Sequence, residues 1–240
     1  MGGNGRFQSA AKWTAGIAGI GLGAYAAYAA ATWLSYGRPS RPRRDGDDPM
    51  LDRLMPTYEV AERYHIRIAA PAEITFAAAC DMDLMRSPII QAIFRTRELV
   101  LGAEHARVNS AAGMLQFSKS VGWNVVAEIP EREVVMAAVT QPWNAEVVFH
   151  PLSADEFVAF DEPGFVKIAW TLRADPDGDG RSIFRHETRV ATTDRAARAK
   201  FRDYWAVFSP GIKLIRLLIL RPLRAEAERR AAATHSIAEA

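Results

Sequence analysis

The sequence predicts an α+β fold: a curved antiparallel sheet wrapped around a long C-terminal helix, two short helices after the first strand, and one N-terminal transmembrane helix. Three observations predict it. Residues 121–193 hold a run of short candidate strands, broken at Pro130, Pro142, Pro151, Pro163-Gly164 and the Asp175 to Gly180 turn, as in an antiparallel meander. A long segment of helical spacing, Asp194 to Arg230, follows. The 25 residues from Trp13 to Gly37 carry no charged side chain.

That uncharged stretch comes first in the chain. At about 1.5 Å per helical residue, Trp13 to Trp33 spans about 30 Å, the hydrocarbon thickness of a bilayer. Trp13 at one end and Trp33 and Tyr36 at the other suit interfacial aromatic belts. Ala27 and Ala29 also form an A-x-A pattern, so a cleaved signal peptide is the rival reading. The apolar run continues through Trp33 and Leu34, which favours an uncleaved anchor. Arg38, Arg41, Arg43, Arg44 and Arg53 outnumber Arg6 and Lys12, so the positive-inside rule directs the following domain to the cytoplasm. Ala15, Gly19, Gly23, Ala27 and Ala31 form a small-residue ridge, with Gly19 and Gly23 as a GxxxG pair suited to a homodimer. The expected organisation is a tail (1–12), an anchor (13–36), a Pro/Arg linker (37–56), one domain (57–231) and a second tail (232–240). Pro39, Pro42, Pro49 and Pro56 exclude continuous helix from the linker.

Within the domain, Tyr58 to Ile68 alternates as a strand, with Tyr64, Ile66 and Ile68 on one side. Pro71 opens a short helix, and Ser87-Pro88 opens a second with Ile89, Ile90, Ile93 and Phe94 as its apolar face. Residues 102–120 are ambiguous. Candidate strands follow at 121–129, 133–140, 146–150, 156–161, 165–174 and 182–193. Asp194 is a fit N-cap for the closing helix, whose stripe is Ala197, Phe201, Trp205 and Phe208. Ser209-Pro210-Gly211 predicts a kink or break, after which Ile212 to Arg230 resumes. Residues 194–230 hold ten Lys and Arg against four Asp and Glu, a net of +6 in a chain of net +2. The apolar and basic residues of Ile212 to Arg224 fit a core helix with a solvated basic rim or, alternatively, a helix lying against an anionic membrane leaflet. No nucleic-acid reading element accompanies the basic excess.

Strand, two short helices, meander and long helix is the order of the helix-grip fold, and several stretches resemble one superfamily. HIRIAAPAEITF (65–76), Gly122-Trp123, Arg132-Glu133, Pro142-Trp143, FVAFDEPGFVK (157–167) and ETRVATTDRAARAKFRDYW (187–205) resemble the START-related SRPBCC superfamily of polyketide cyclase/dehydrase-like and lipid-binding proteins, in a bacterial branch with an added anchor. The resemblance covers roughly residues 57–230. It implies a pocket for hydrophobic molecules and transfers no catalytic residue.

The local patterns point the same way. Val166, Ile168 and Trp170 share one face of a strand with Leu172, and Phe184 and His186 share a face of the next with Thr188 and Val190. Phe201 and Trp205 of the long helix would face them. The candidate ligand-binding residues are therefore Val166, Ile168, Trp170, Phe184, His186, Phe201 and Trp205, with solid core packing as the plain alternative. His186 is the one weak catalytic candidate, since its pKa lies near neutrality. Glu187 and Arg189 read as surface partners. Asp175, Asp177 and Asp179 imitate a calcium loop, but position twelve is His186 instead of glutamate. Cys80 is the single cysteine, and no metal or cofactor motif is found. The function expected is membrane-anchored binding, transfer or presentation of a hydrophobic small molecule or lipid. The alternatives are a cyclase/dehydratase-like enzyme using the same cavity and a ligand-free scaffold for a protein partner.

Overall fold

The computed structural model describes residues 23–39, 48–102 and 113–238, with side chains to residue 234. A six-stranded antiparallel sheet runs in the order β1-β6-β5-β3-β2, with β4 paired to β3. The strands are β1 (Val60–Ile68), β2 (Asn124–Ile129), β3 (Glu133–Thr140), β4 (Phe149–His150), β5 (Val166–Pro176) and β6 (Ser182–Thr192). The helices are α1 (23–35), α2 (Pro49–Leu54), α3 (Ala72–Cys80), α4 (Pro88–Leu101), α5 (Met114–Ser120), α6 (Ala154–Ala159) and α7 (Arg195–Ala238). The sheet wraps α7, as the helix-grip order predicts.

Alternation along the strands sends two sets of side chains to two different layers. On the inner face Val134, Met136, Trp170, Leu172 and Phe184 pack against Phe76 of α3 and Leu223 and Ala227 of α7. On the outer face Val135, Ala137, Val139 and Ala169 pack against Met50 and Leu51 of α2 and Phe157 of α6. Both faces of β3 are thereby covered, which is why all eight of its residues are buried.

The structure corrects the sequence reading in five places. The first is the anchor. Residues 13–22 and Gly19 lie outside the described residues, and the described end of the stretch lies along α7. The Tyr25 hydroxyl donates to the Val207 carbonyl, Tyr28 meets Ser209 Oγ at 3.2 Å, and Trp33 Nε1 donates to Asp203 at 2.8 Å. The Arg202 guanidinium stacks 3.6 Å over the Trp33 ring. Among the described residues no helix is long and apolar enough to cross a membrane. The single-pass topology, the membrane partner and the membrane localisation are overturned with it. So is the homodimer through Gly19 and Gly23: Gly23 has nothing within 4 Å, and the neighbour of α1 is α7 of the same chain.

Second, α7 runs unbroken for 44 residues through Pro210 and Pro222. Pro210 brings no N–H for the Ala206 carbonyl and crowds the preceding turn, yet the helix continues through it; one residue on, the Val207 carbonyl accepts from the Tyr25 hydroxyl. Gly211 then lets α4 approach, since a Cβ at that position would stand 2.9 Å from Ile93 Cγ2. Third, one apolar face of the basic segment packs on the domain, with Ile215 and Ile219 against Ile90 and Leu223 in the main core, while Leu214 and Leu217 stay exposed. Fourth, the candidate strand 156–161 is helical, because Ser153 and Glu156 form a reciprocal capping box that starts α6. Fifth, the stretch read as a solvated linker contains α2. Asp48 caps it, and Met50, Leu51 and Met55 are buried under the outer face of the sheet.

Candidate functional site

The inner face is apolar at both ends and polar in the middle. At one end Phe201 and Trp205 of α7 pack with Val166, Val60, Val190 and Tyr36, with Ile168 and Ile212 alongside. At the other end Trp170 and Phe184 belong to the main core. All seven side chains proposed from the sequence therefore lie between sheet and helix, but in two clusters instead of one pocket. His186 stands where the clusters meet, its ring centroid 6.0 Å from that of Trp170.

Backbone register explains how a histidine is held there. The β5–β6 pairing runs to Trp170↔Thr188 and resumes at Arg173↔Arg185. Between them, side chains take over the ladder groups. His186 Nδ1 lies 2.6 Å from the Thr171 carbonyl, and the Glu187 N–H donates to Thr171 Oγ1 at 3.3 Å. A carbonyl only accepts, so Nδ1 carries the proton. Nε2 is then an acceptor and takes the Thr188 hydroxyl at 3.3 Å. Burial, followed by the nearby Arg216 cation, pushes the His186 pKa well below 6.5. The imidazole is neutral at pH 7.

Arg216 is the residue that sequence reasoning missed. Ser209, Arg216 and Leu223 are seven apart, two helical turns, and so share the inward stripe of α7. Among the described residues no carboxylate pairs with Arg216 and no hydrogen bond engages it. Burial lowers its pKa to about 10, with Tyr64 acting in the opposite sense. The side chain nevertheless keeps intermediate solvent accessibility. Tyr64 sits opposite His186 in the β1–β6 register. Its hydroxyl donates to Glu62 at 3.3 Å, and Glu62 also pairs with Lys213 at 3.0 Å. The signal in the sequence was the seven-residue spacing, which places Arg216 inside although its neighbours Lys213 and Arg221 suggest a basic rim.

A cleft of ≈ 410 Å³ opens beside this belt, lined by Ile66, Leu217, Leu218, Leu220 and Arg221. Ile66 follows Tyr64 by two on the same strand face, and Leu220 follows Arg216 by one turn on the same helix face.

The outer face holds a separate charge network. Glu187 and Arg189, expected at the surface, are 5% and 1% exposed under α2. Arg189 pairs with Glu187 at 2.7 Å and Asp52 at 2.7 Å and donates to the Met55 carbonyl, so burial is compensated. Asp175 receives Arg132, Arg173 and Arg185, three arginines where the calcium-loop pattern would want a metal. Burial raises the Cys80 thiol to about 11, which leaves it unreactive at neutral pH.

No family model matches this chain, and no curated protein matches it. Among solved structures, a conserved protein from Geobacillus kaustophilus is 10% identical, with 72% of this chain and 96% of that chain covered and a TM-score of 0.31. The Zhui aromatase/cyclase from a Streptomyces species (R1128) is 14% identical, covering 71% and 94%, with a TM-score of 0.26. Norcoclaurine synthase from Thalictrum flavum is 11% identical, covering 72% and 96%, with a TM-score of 0.23. Superpositions this loose carry no argument about function. The helix-grip description rests on the sheet and α7 of this chain.

Proposed function

We propose that this chain, through the domain at residues 57–231, binds a hydrophobic small molecule or lipid between the sheet and α7. One observation carries the reading: a cleft walled by Ile66, Leu217, Leu218 and Leu220 opens between β1 and α7, on the strand and helix that also carry Tyr64 and Arg216. Its volume lies in the range of small-molecule sites. Binding would be driven by burial of apolar ligand surface, worth about 25 cal/mol per Å² before entropic costs. Trp170, Phe184, Phe201, Trp205, Val166 and Ile168 form the rigid frame around the belt.

The enzymatic alternative has less support. His186 commits one nitrogen to the Thr171 carbonyl and the other to Thr188, so neither ring nitrogen is oriented by a carboxylate as a tuned acid or base would be. A ligand carbonyl would find no N–H on the free side of this ring.

Titration of the neutral fluorophore Nile red into the full chain tests the reading. Leu217 lines the cleft and is 54% exposed, so Leu217→Asp leaves the core untouched while placing a charge in the binding wall. Saturable binding to the wild type, weakened about tenfold or more in Leu217→Asp at unchanged thermal stability, is expected. Absence of saturable binding, or equal binding by both proteins, would reject the interior as a ligand site.

A further inference from the structure

The middle of the inner face carries more charge than an apolar ligand alone needs. Arg216 of α7 lies on the inward stripe of that helix, close enough to His186 and Tyr64 to act on both, and has no carboxylate partner among the described residues. The charged groups around it cancel: Lys213 of α7 is paired with Glu62 of β1 at 3.0 Å, and Tyr64 of β1 donates to that same carboxylate. Tyr28 of α1 stands against Lys213, with the ammonium 5.9 Å from its ring. His186 of β6 has its Nδ1–H on a carbonyl and is neutral. The belt therefore holds one uncompensated positive charge, presented by a group with five N–H donors in a planar fork.

An isolated cation in such a place is costly unless something neutralises it. In a packed core, selection for stability would replace it by an apolar residue of similar length. Where the side chain borders a ligand space, the missing partner is supplied by the ligand.

Resting on the binding reading above, we propose that the ligand is an amphiphilic monoanion: an apolar body that lies along Ile66, Leu217 and Leu220 and a carboxylate that pairs with Arg216. Charge count selects a single negative charge, since the rest of the belt is neutral. Geometry favours a carboxylate, whose two oxygens match the guanidinium fork. Arg221, exposed at the lip of the cleft one to two turns further along α7, gives an approaching anion its first favourable field.

Displacement of Nile red from the full chain tests the assignment with two pairs of probes, oleate against methyl oleate and 2-naphthoate against methyl 2-naphthoate. The paired acid is expected to displace at least about tenfold more effectively than its ester from the wild type, the scale of one charge-assisted hydrogen-bonded pair. Whichever acid does so identifies a chain-like or an aromatic body. In Arg216→Met the acid and ester should become equal, each measured against Nile red titrated afresh into that variant; Arg216→Lys should keep part of the preference. Equal displacement by acid and ester from the wild type overturns the proposal, as does an acid preference that persists in Arg216→Met. The wild-type comparison decides even if a variant fails to fold. If Nile red does not bind the wild type, it is the binding reading that has failed, and this assignment falls with it.

Discussion

Arg216 is held where desolvation works against it, and that has a measurable consequence in the ligand-free protein. A guanidinium keeps its proton at any ordinary pH, so its lowered pKa of about 10 expresses an unfavourable burial and not a titration. Arg216→Met should stabilise the ligand-free chain by about 1 to 2 kcal/mol in urea unfolding, the residual water around the side chain sparing it the full penalty. A loss of stability of the same size would mean that Arg216 already has a partner. His186 gives a pH signature. Its native pKa lies below the unfolded value of 6.5, so the unfolded state binds the proton more readily. The contribution of neutral His186 is complete above about pH 6.5 and is lost as pH falls below it, with a limiting slope of about 1.4 kcal/mol per unit. His186→Gln should remove that slope between pH 6.5 and pH 5. These two residues also show where sequence reading stopped. His186 was identified from alternation along β6. Arg216 was hidden because basic neighbours on a helix read as a solvated face until the seven-residue stripe is followed through Ser209 and Leu223.

At the scale of elements, the helices decide which surfaces are closed. α2 covers the outer face over Glu187 and Arg189, both buried and tied to each other and to Asp52. Arg189→Ala removes the pairs to Asp52 and Glu187 and leaves Glu187 with Arg63, so it should cost about 1.5 to 3 kcal/mol. Urea unfolding checks this, and a cost below about 1 kcal/mol would place α2 away from the sheet. Glu133, 3% exposed beside Asp48 at the start of α2, has its pKa raised to about 7, first by burial and then by that neighbouring carboxylate. Its native pKa lies above the unfolded value of 4.5, so its stabilising protonated form is fully present below pH 4.5 and is lost as pH rises through 7. Glu133→Gln should therefore be more stable than the wild type at pH 8, and the two should converge near pH 5. The strands β3, β5 and β6 were legible because alternation and Pro/Gly breaks are local signals. α4 was legible from Ser87-Pro88. α6 was misread because its six residues are too few for periodicity to separate helix from strand, and the deciding feature is the Ser153–Glu156 capping box. α2 was missed because four prolines in 37–56 outweighed its Met50, Leu51 and Met55 pattern. α7 does not break at Pro210, and α1 packs along that stretch of it through Tyr25 and Tyr28.

Over the whole molecule, the order of elements carried the fold, since a strand, helices, a meander and a terminal helix leave few ways to bury one core. The placement of the N-terminal stretch was not carried in the same way. An uncharged run of small and aromatic residues satisfies a bilayer and a helix surface alike, and only the contacts of Tyr25, Tyr28 and Trp33 with α7 distinguish them. What the fold supplies is a frame: two apolar clusters, a polar belt between them, and a cleft beside it between β1 and α7. The most direct measurement is native mass spectrometry of the full chain purified from its own host, followed by solvent extraction and identification of whatever is released. The account predicts one apolar molecule per chain, released on extraction and replaced by Nile red. A chain that carries nothing apolar and takes up no Nile red would contradict it.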